Sequence, residues 1–441
     1  MIHTLLLVAA LAATEPDSTT ANRRADAALV LRRALAEAPR EGGLERWVAA
    51  ANAAIAAVGP GPVAASLERA VVDARWIALF DARRAADDLE RELRAAADDL
   101  AFTPLREAEL PVGFPAPTPV RDIELKRYPK YRLVRADMQS GGSSSAFWEL
   151  FQHIKSRDIA MTAPVETTYA AGEDLWDESE MAFLYGSREV GQTGPAGKVE
   201  VVDAPSAWAL SIGCRGRMNR ASLDAARARL QAWIDGQDRL EIAGPVRTMG
   251  YNSPMVPVAR QFFEVQIPMR WKGESANQKV VVGFDGEGAA AIWTQVHDRV
   301  MGGLSSGALV ATNQGTCVFE GDLSLENNGG FASVRTRPGD LGLAGARTVR
   351  LTVRGDGRTY KLRLGTQSAS DGVNYELPFT TKAGAWTSHE FAIADFVPVW
   401  RGRRVADAGP LVAADVRTVG IMIADKESGP FRIELAQLVR D

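Results

Sequence analysis

The chain has 441 residues, 46% hydrophobic and 24% charged, with 51 Lys and Arg against 55 Asp and Glu. That length makes roughly two to four domains, each apolar enough to bury a core, and the mildly acidic balance argues against a dedicated nucleic-acid binder. Two cysteines 103 residues apart and four scattered histidines give neither a disulfide framework nor metal-ligand spacing, and there is no phosphate loop, nucleophile elbow or dinucleotide fingerprint.

Residues 1–14 carry an apolar run from Leu5 to Ala13. It is too short to span a bilayer and reads as a secretory leader, with Ala10-Leu11-Ala12 as the cleavage site. Export is the expectation. The n-region lacks Lys and Arg, so a cytosolic chain with an apolar N-terminus is the alternative. No other stretch is apolar for long enough to cross a membrane, so no transmembrane segment is expected.

From 21 to 102 the composition is dominated by Ala, Arg, Asp, Glu and Leu, and only four of the 40 glycines fall in the first hundred residues. These are strong helix formers. Leu29, Leu31 and Leu35, then Val71, Ile77, Leu79, Leu89 and Leu93, recur at helical spacing. Gly42-Gly43 and Gly59-Pro60-Gly61-Pro62 punctuate the pattern, which predicts three antiparallel helices serving as a packing module or spacer. Residues 103–119, with PVGFPAPTP inside them, read as a stiff linker.

The next region, 120–272, is doubled. IELKRYPKYRLV at 123–134 aligns with VEVVDAPSAWAL at 199–210: Glu124 falls on Glu200, Pro129 on Pro205, and Ile123, Leu125 and Val134 on Val199, Val201 and Leu210. Each copy is a strand pair bent at a proline. A helix follows each, with Phe147, Leu150, Phe151 and Ile154 on one face of the first and Leu223, Ala226, Leu230 and Ile234 on one face of the second. Short strands, Ala163-Pro164-Val165 and Gly244-Pro245-Val246, come next. Two such units predict one sheet with its helices on one side and a groove between the halves.

The stretch IELKRYPKY followed by AFWELFQHIKSRDIAMTAPVETTY, with Phe262-Phe263-Glu264-Val265-Gln266-Ile267 as closing strand, resembles the SOUL haem-binding family. The resemblance implies an α+β distorted barrel of two βαβ repeats that binds haem or another tetrapyrrole in an apolar groove. Aromatic and Met side chains suit a porphyrin face, and Arg suits its propionates. Tyr128, Tyr131, Met138, Phe147, Phe151 and Met161, with Arg127 and Arg132, are the residues of those kinds here. His153, about 60° from Leu150 on the helical wheel, sits at the edge of the apolar face and is the axial-ligand candidate, with a half-exposed surface position as the plainer reading. Without an iron bond, affinity would rest on apolar burial.

From 279 to 441 the pattern is all-β: 22 of the 40 glycines lie in 281–441, and runs such as TCVFEGDLSL, RTVRLTVRG, TYKLRLGT and FRIELAQLV are separated by turn clusters. Trp293 to Gly307, Val397 to Arg403 and the ending around Gly429-Pro430-Phe431 resemble the complex I intermediate-associated protein 30 family. That resemblance implies a galactose-binding-like jelly-roll sandwich serving assembly or binding. His297, Asp298 and Ser305 are too close in sequence for a hydrolytic triad, so Asp298 is expected to cap a turn opened by Gly302-Gly303. Trp400 and Arg401 are candidate partner contacts.

The expected function is a non-enzymatic tetrapyrrole binder whose sandwich takes a protein or glycan. A scaffold in which both domains bind proteins is the alternative. An enzyme using Glu166 or Glu264 in the groove is the third reading, and it requires a carboxyl of raised pKa.

Overall fold

In the computed structural model the described residues are 18–37, 43–138, 142–170, 176–237, 239–272, 279–284, 289–298, 302–312, 315–366 and 372–441. The expected leader at 1–14 lies outside them, as do 299–301 of the sandwich's opening stretch. The chain divides into two compact units, Met1–Met269 and Arg270–Asp441. No helix among the described residues is long and apolar enough to cross a membrane.

The first unit opens with four helices, not three: α1 (Ser18–Ala36), α2 (Leu44–Val58), α3 (Pro62–Ala78) and α4 (Ala82–Leu100). Gly59, at φ 75°, ends α2, and Pro62 opens α3 as an N-terminal proline can. The break between α3 and α4 has neither Gly nor Pro. It is set by Asp81, whose carboxylate accepts from the Arg84 backbone N–H at 2.9 Å. Leu31, Trp47, Leu67, Leu89 and Leu93 interlock with alanines in the core. The bundle is fastened to the start of the sheet. Arg24 donates to Asp122 at 2.6 Å and to the Val120 carbonyl at 2.8 Å, and Arg121 bonds Glu92 and Asp99.

Ten strands come next: β1 (Ile123–Tyr128), β2 (Tyr131–Asp137), β3 (Val165–Tyr169), β4 (Glu178–Leu184), β5 (Gly194–Ala196), β6 (Val199–Ala204), β7 (Ala207–Arg215), β8 (Leu240–Ile242), β9 (Arg247–Gly250) and β10 (Phe262–Trp271). β1 and β2 are the arms of one strand bent at Pro129, and β6 and β7 the arms of a second bent at Pro205. The two bent strands pair antiparallel along both arms, from Ile123 with Ile212 to Tyr128 with Ala207, then from Tyr131 with Ala204 to Arg135 with Glu200. The register is unbroken across the bends. β7, β10, β9, β3, β4 and β2 complete a circuit, so the sheet closes on itself. The doubling read from sequence is thus physical: equivalent bent strands pair with each other, and β3 pairs with β9 through Thr167 and Thr248.

Helix α5 (Gly142–Ser156) buries Ala146, Leu150 and Ile154 on Val134, Met181, Phe183 and Val201. Helix α6 (Arg220–Asp235) packs on β7 and starts at a capping box, in which Asn219 accepts from the Ser222 N–H at 3.0 Å.

Residues 103–119 are not a spacer. Phe114 stands edge-on to Tyr128 and Tyr131, with centroids 5.1 and 5.0 Å away. The Val112 N–H donates to the Gly186 carbonyl, and the Ala116 carbonyl accepts from Lys126 Nζ. Prolines suit this strap because they bring no N–H that needs an acceptor. Gly213 lets it lie close, since a Cβ there would sit 2.1 Å from the Thr118 carbonyl oxygen.

The second unit is the expected all-β sandwich. Its strands are β11 (Lys279–Gly283), β12 (Trp293–His297), β13 (Ser306–Ala311), β14 (Cys317–Leu323), β15 (Ala332–Thr336), β16 (Thr348–Arg354), β17 (Thr359–Thr366), β18 (Asn374–Thr380), β19 (Trp386–Ala392), β20 (Val397–Trp400), β21 (Arg403–Arg404), β22 (Val416–Ile423) and β23 (Gly429–Arg440). One sheet runs β13-β14-β23-β16-β19 with β11 on β23, the other β12-β15-β22-β17-β18-β20-β21. Phe319, Val349, Leu351, Tyr360, Leu362, Ile421, Ile433 and Leu435 fill the space between them. Cys214 and Cys317 are free thiols; Cys317 is buried but Cys214 only partly so. Burial pushes their pKa values up to about 12 and about 11.

Candidate functional site

Strand alternation decides what each predicted site residue faces. Lys126, Tyr128, Tyr131, Glu166, Ser211, Arg247, Glu264 and Gln266 share the inner face of the closed sheet. There they form one network. Lys126 Nζ and the Thr118 N–H both donate to Glu264 Oε1 at 2.5 Å, and the Tyr251 hydroxyl donates to Oε2 at 2.8 Å. Gln266 Nε2 donates to Tyr128 Oη at 2.7 Å and to Glu264 Oε2 at 3.0 Å. Arg247 donates to Gln266 Oε1 at 3.0 Å, to Tyr131 Oη at 3.1 Å and to Glu166 Oε2 at 3.2 Å.

Burial alone would raise the Glu264 pKa, but the Lys126 ammonium and its hydrogen bonds outweigh it and hold the carboxyl below its usual range. Burial raises both Tyr128 and Tyr131. The remaining space is taken by Phe114, Leu133, Ala182, Leu184 and Ala209. The interior is therefore filled and ion-paired. Tyr128 and Tyr131 are not groove residues, and the raised-pKa carboxyl that the enzyme reading needs is not found at Glu264.

The other candidates separate. Met138 is buried beneath α5, with Phe147 and Phe151 at the margin of the same cluster. His153 is buried, not half exposed: Nε2 lies 2.9 Å from Tyr185 Oη, and Nδ1 is enclosed without a partner among the described residues. Burial lowers its pKa. The cover comes from Tyr185, one residue past β4, which a wheel of α5 alone does not show. With one nitrogen bonded and the other enclosed, the ring does not fit the role of axial ligand. Arg127 points away from Tyr128 and stacks over Trp208 at 5.4 Å. Arg132 is held by Asp203 at 2.7 Å and by the carbonyls of Val190 and Gly191. Met161 is exposed.

What the outer face does present is an apolar strip between α5 and α6. Trp148 is exposed and meets Phe151 edge-on at 5.7 Å. Phe151 and Val165 both border the cluster under α5. Val165 is the register partner of Gly250, and a Cβ on Gly250 would come within 3.9 Å of the Met218 methyl. Gly250 thus makes a notch with Val165 and half-exposed Met218 as walls, and the exposed Arg217 stands next in the chain. Of these residues sequence reading found only Phe151. Gly250 and Met218 leave no signal, because their role depends on which strands meet.

In the sandwich, Asp298 is structural. Burial would raise its pKa, but the Ser305 hydroxyl and the N–H groups of Gly330, Phe331 and Ser305 hold it low. Ser305 Oγ donates to Oδ2 at 2.6 Å, and a Cβ on Gly303 would sit 2.4 Å from the Asp298 carboxyl carbon. Trp400 is not a core residue: it is 43% exposed at the tip of the β20–β21 hairpin, with the Arg401 guanidinium 4.8 Å from its ring centroid.

Residues 116–268 match the family model for the SOUL heme-binding protein, and residues 282–435 match that for Complex I intermediate-associated protein 30. Two curated relatives, the probable complex I intermediate-associated protein 30, mitochondrial, of Caenorhabditis elegans and that of Caenorhabditis briggsae, are each 28% identical over 152 residues, which is 30% of this chain. The match spans 45% of either relative's length. Among solved structures, a family 11 carbohydrate-binding module from Clostridium thermocellum is similar at 13% identity and a TM-score of 0.30, over 38% of this chain and 96% of that one.

Proposed function

We propose that this chain, a SOUL heme-binding domain followed by a complex I intermediate-associated protein 30 domain, is a non-enzymatic binding protein that holds a flat tetrapyrrole on the outside of its barrel. The observation that carries the reading is the partly exposed strip Trp148–Phe151–Val165–Gly250–Met218, apolar throughout and notched at its one glycine. Aromatic and thioether groups suit the face of a macrocycle, and Arg217 suits a propionate at its edge. Among the described residues of the barrel no histidine is offered to iron, so apolar burial supplies the affinity and a metal-free porphyrin serves as well as haem. The barrel interior speaks against catalysis: Glu264 and Glu166 are committed to Lys126 and Arg247, and its phenols are harder to ionise than usual.

The sandwich's part is docking to a protein. Trp400 with Arg401 gives an exposed aromatic–guanidinium pair of the kind that anchors interfaces.

Titration of the full chain with haemin and with metal-free protoporphyrin, followed by the Soret band and by tryptophan quenching, tests the barrel. Saturable binding of both within about threefold of each other is expected, weakened at least tenfold by Gly250→Leu, which fills the notch. Absence of saturable binding overturns the reading. So does a haemin preference abolished by His153→Ala, because it would place the ligand on iron.

A further inference from the structure

Helix α3 has two apolar faces, and the bundle covers only one. Val63, Ala64, Leu67, Val71 and Ala74 are buried in the bundle core. On the other side, Val72 is 64% exposed, Trp76 66%, and Leu79 and Phe80, in the turn that ends the helix, 70% and 80%. These four stand at i, i+4, i+7 and i+8, the spacing of a face that is normally buried. The next helix shows how this bundle treats a face meant for water: α4 carries Arg84 with Asp88 and Glu90 with Arg94 there. A contiguous patch of this kind marks an interaction site.

We infer that the exposed face of α3 pairs antiparallel with α3 of a second copy of this chain, about a two-fold axis passing beside Val72. The edges of the stripe are complementary to themselves. Glu68 and Arg75 line one edge, Arg69 and Asp73 the other, all at least partly exposed. Rotation about that axis sets Arg75 against Glu68 of the second copy on one edge and Arg69 against Asp73 of the second copy on the other; the two Asp73 side chains, one residue from the axis, flank it at the outer margin of that edge. Opposite charges flanking an apolar seam fix partner and orientation in paired helices.

Shape agrees. Ala65 lies on the same stripe, so the small Ala65 of one copy receives Trp76 and Leu79 of the other, while Val72 meets Val72. Area agrees as well. An aromatic side chain buries about 150–250 Å², so two per copy with Val72 and Leu79 bring the total to roughly the 1,000 Å² that a specific interface needs. The balanced edges disfavour an anionic membrane surface, which selects a basic excess.

Sedimentation velocity on the full chain between about 1 and 100 µM tests this. A concentration-dependent dimer is expected, weakened at least a hundredfold by Trp76→Glu with an unchanged far-UV circular dichroism spectrum, since Trp76 supports nothing in the bundle core. Glu68→Arg weakens it about tenfold, and Glu68→Arg with Arg75→Glu restores it. Under mild oxidation Val72→Cys gives a disulfide-linked dimer, whereas Ala65→Cys and the unsubstituted chain do not. A chain that stays monomeric throughout overturns the inference. So does sedimentation with phosphatidylcholine–phosphatidylglycerol vesicles that Trp76→Glu abolishes, because that would make the stripe a lipid contact.

Discussion

The barrel and the sandwich are both closed by β-structure, yet they are filled in opposite senses. The sandwich puts Phe319, Tyr360, Leu362 and Ile433 inside and places charged pairs such as Arg350 with Glu390 on its outer faces. The barrel puts Lys126–Glu264 and Arg247–Glu166 inside and turns Val134, Met181, Phe183 and Val201 outward, where α5 covers them. The difference comes from what lies outside. A sheet covered by helices finds its apolar contacts there. The space it encloses is then narrow, and polar side chains fill it once every donor and acceptor is matched. Alternation along a strand separates two faces, but it does not say which one is inside.

The sharpest way to break the comparison is to treat the barrel as if it were a sandwich. Lys126→Met alone leaves the Glu264 carboxylate buried beside Tyr251 and Gln266 without its cation. It should cost the barrel about 3–5 kcal/mol in denaturant titration. Adding Glu264→Gln removes the stranded charge and should recover more than half of that loss. In the sandwich, Phe319→Ala should cost a similar ~3–5 kcal/mol by leaving a cavity, and no second polar substitution should repair it. If Lys126→Met proves nearly silent, the interior is hydrated and the contrast fails.

A smaller effect tests the one carboxylate at the sandwich's opening turn. Asp298 accepts from Ser305, Gly330 and Phe331, so Asp298→Asn should cost about 1–3 kcal/mol. The native pKa lies below that of the unfolded chain, about 3.9. The unfolded state therefore takes up the proton first as pH falls. The carboxylate's contribution is complete above about pH 4 and is lost below it, toward the native value. Melting curves of the two proteins should differ at pH 7 and converge in acid. A gap that widens in acid would reverse the sign and refute the assignment.

Much of this was legible in the residues. The alternating runs TCVFEGDLSL, RTVRLTVRG, TYKLRLGT and FRIELAQLV became strands, and the offset between 123–134 and 199–210 found the two bent strands that close the barrel. What stayed hidden depended on closure. Phe262 to Ile267 are buried at every position, so Glu264 and Gln266 within them could not be seen as interior polar groups. Phe114 looked like linker because its partners, Tyr128 and Tyr131, lie on the two arms of a bend. His153 was misplaced because Tyr185 comes from another element. The Leu79–Asp81 break was missed because a carboxylate cap, not Gly or Pro, makes it.

The smallest effect sets the scale for the largest. Arg94 and Glu90 on α4 make an ion pair at 2.9 Å, hardly longer than Lys126 to Glu264 at 2.5 Å, but Arg94 is exposed and Glu90 half-exposed, whereas Lys126 and Glu264 are enclosed. Solvent already satisfies each charge, so holding them together gains little beyond what it costs in side-chain entropy. Arg94→Ala should change stability by no more than ~0.5 kcal/mol, with the small loss disappearing in about 1 M salt. The Lys126→Met loss should persist in the same salt, because ions do not enter the barrel to screen it. Two cation–carboxylate pairs that part company in this way would show that enclosure, not ion pairing itself, gives the barrel interior its weight.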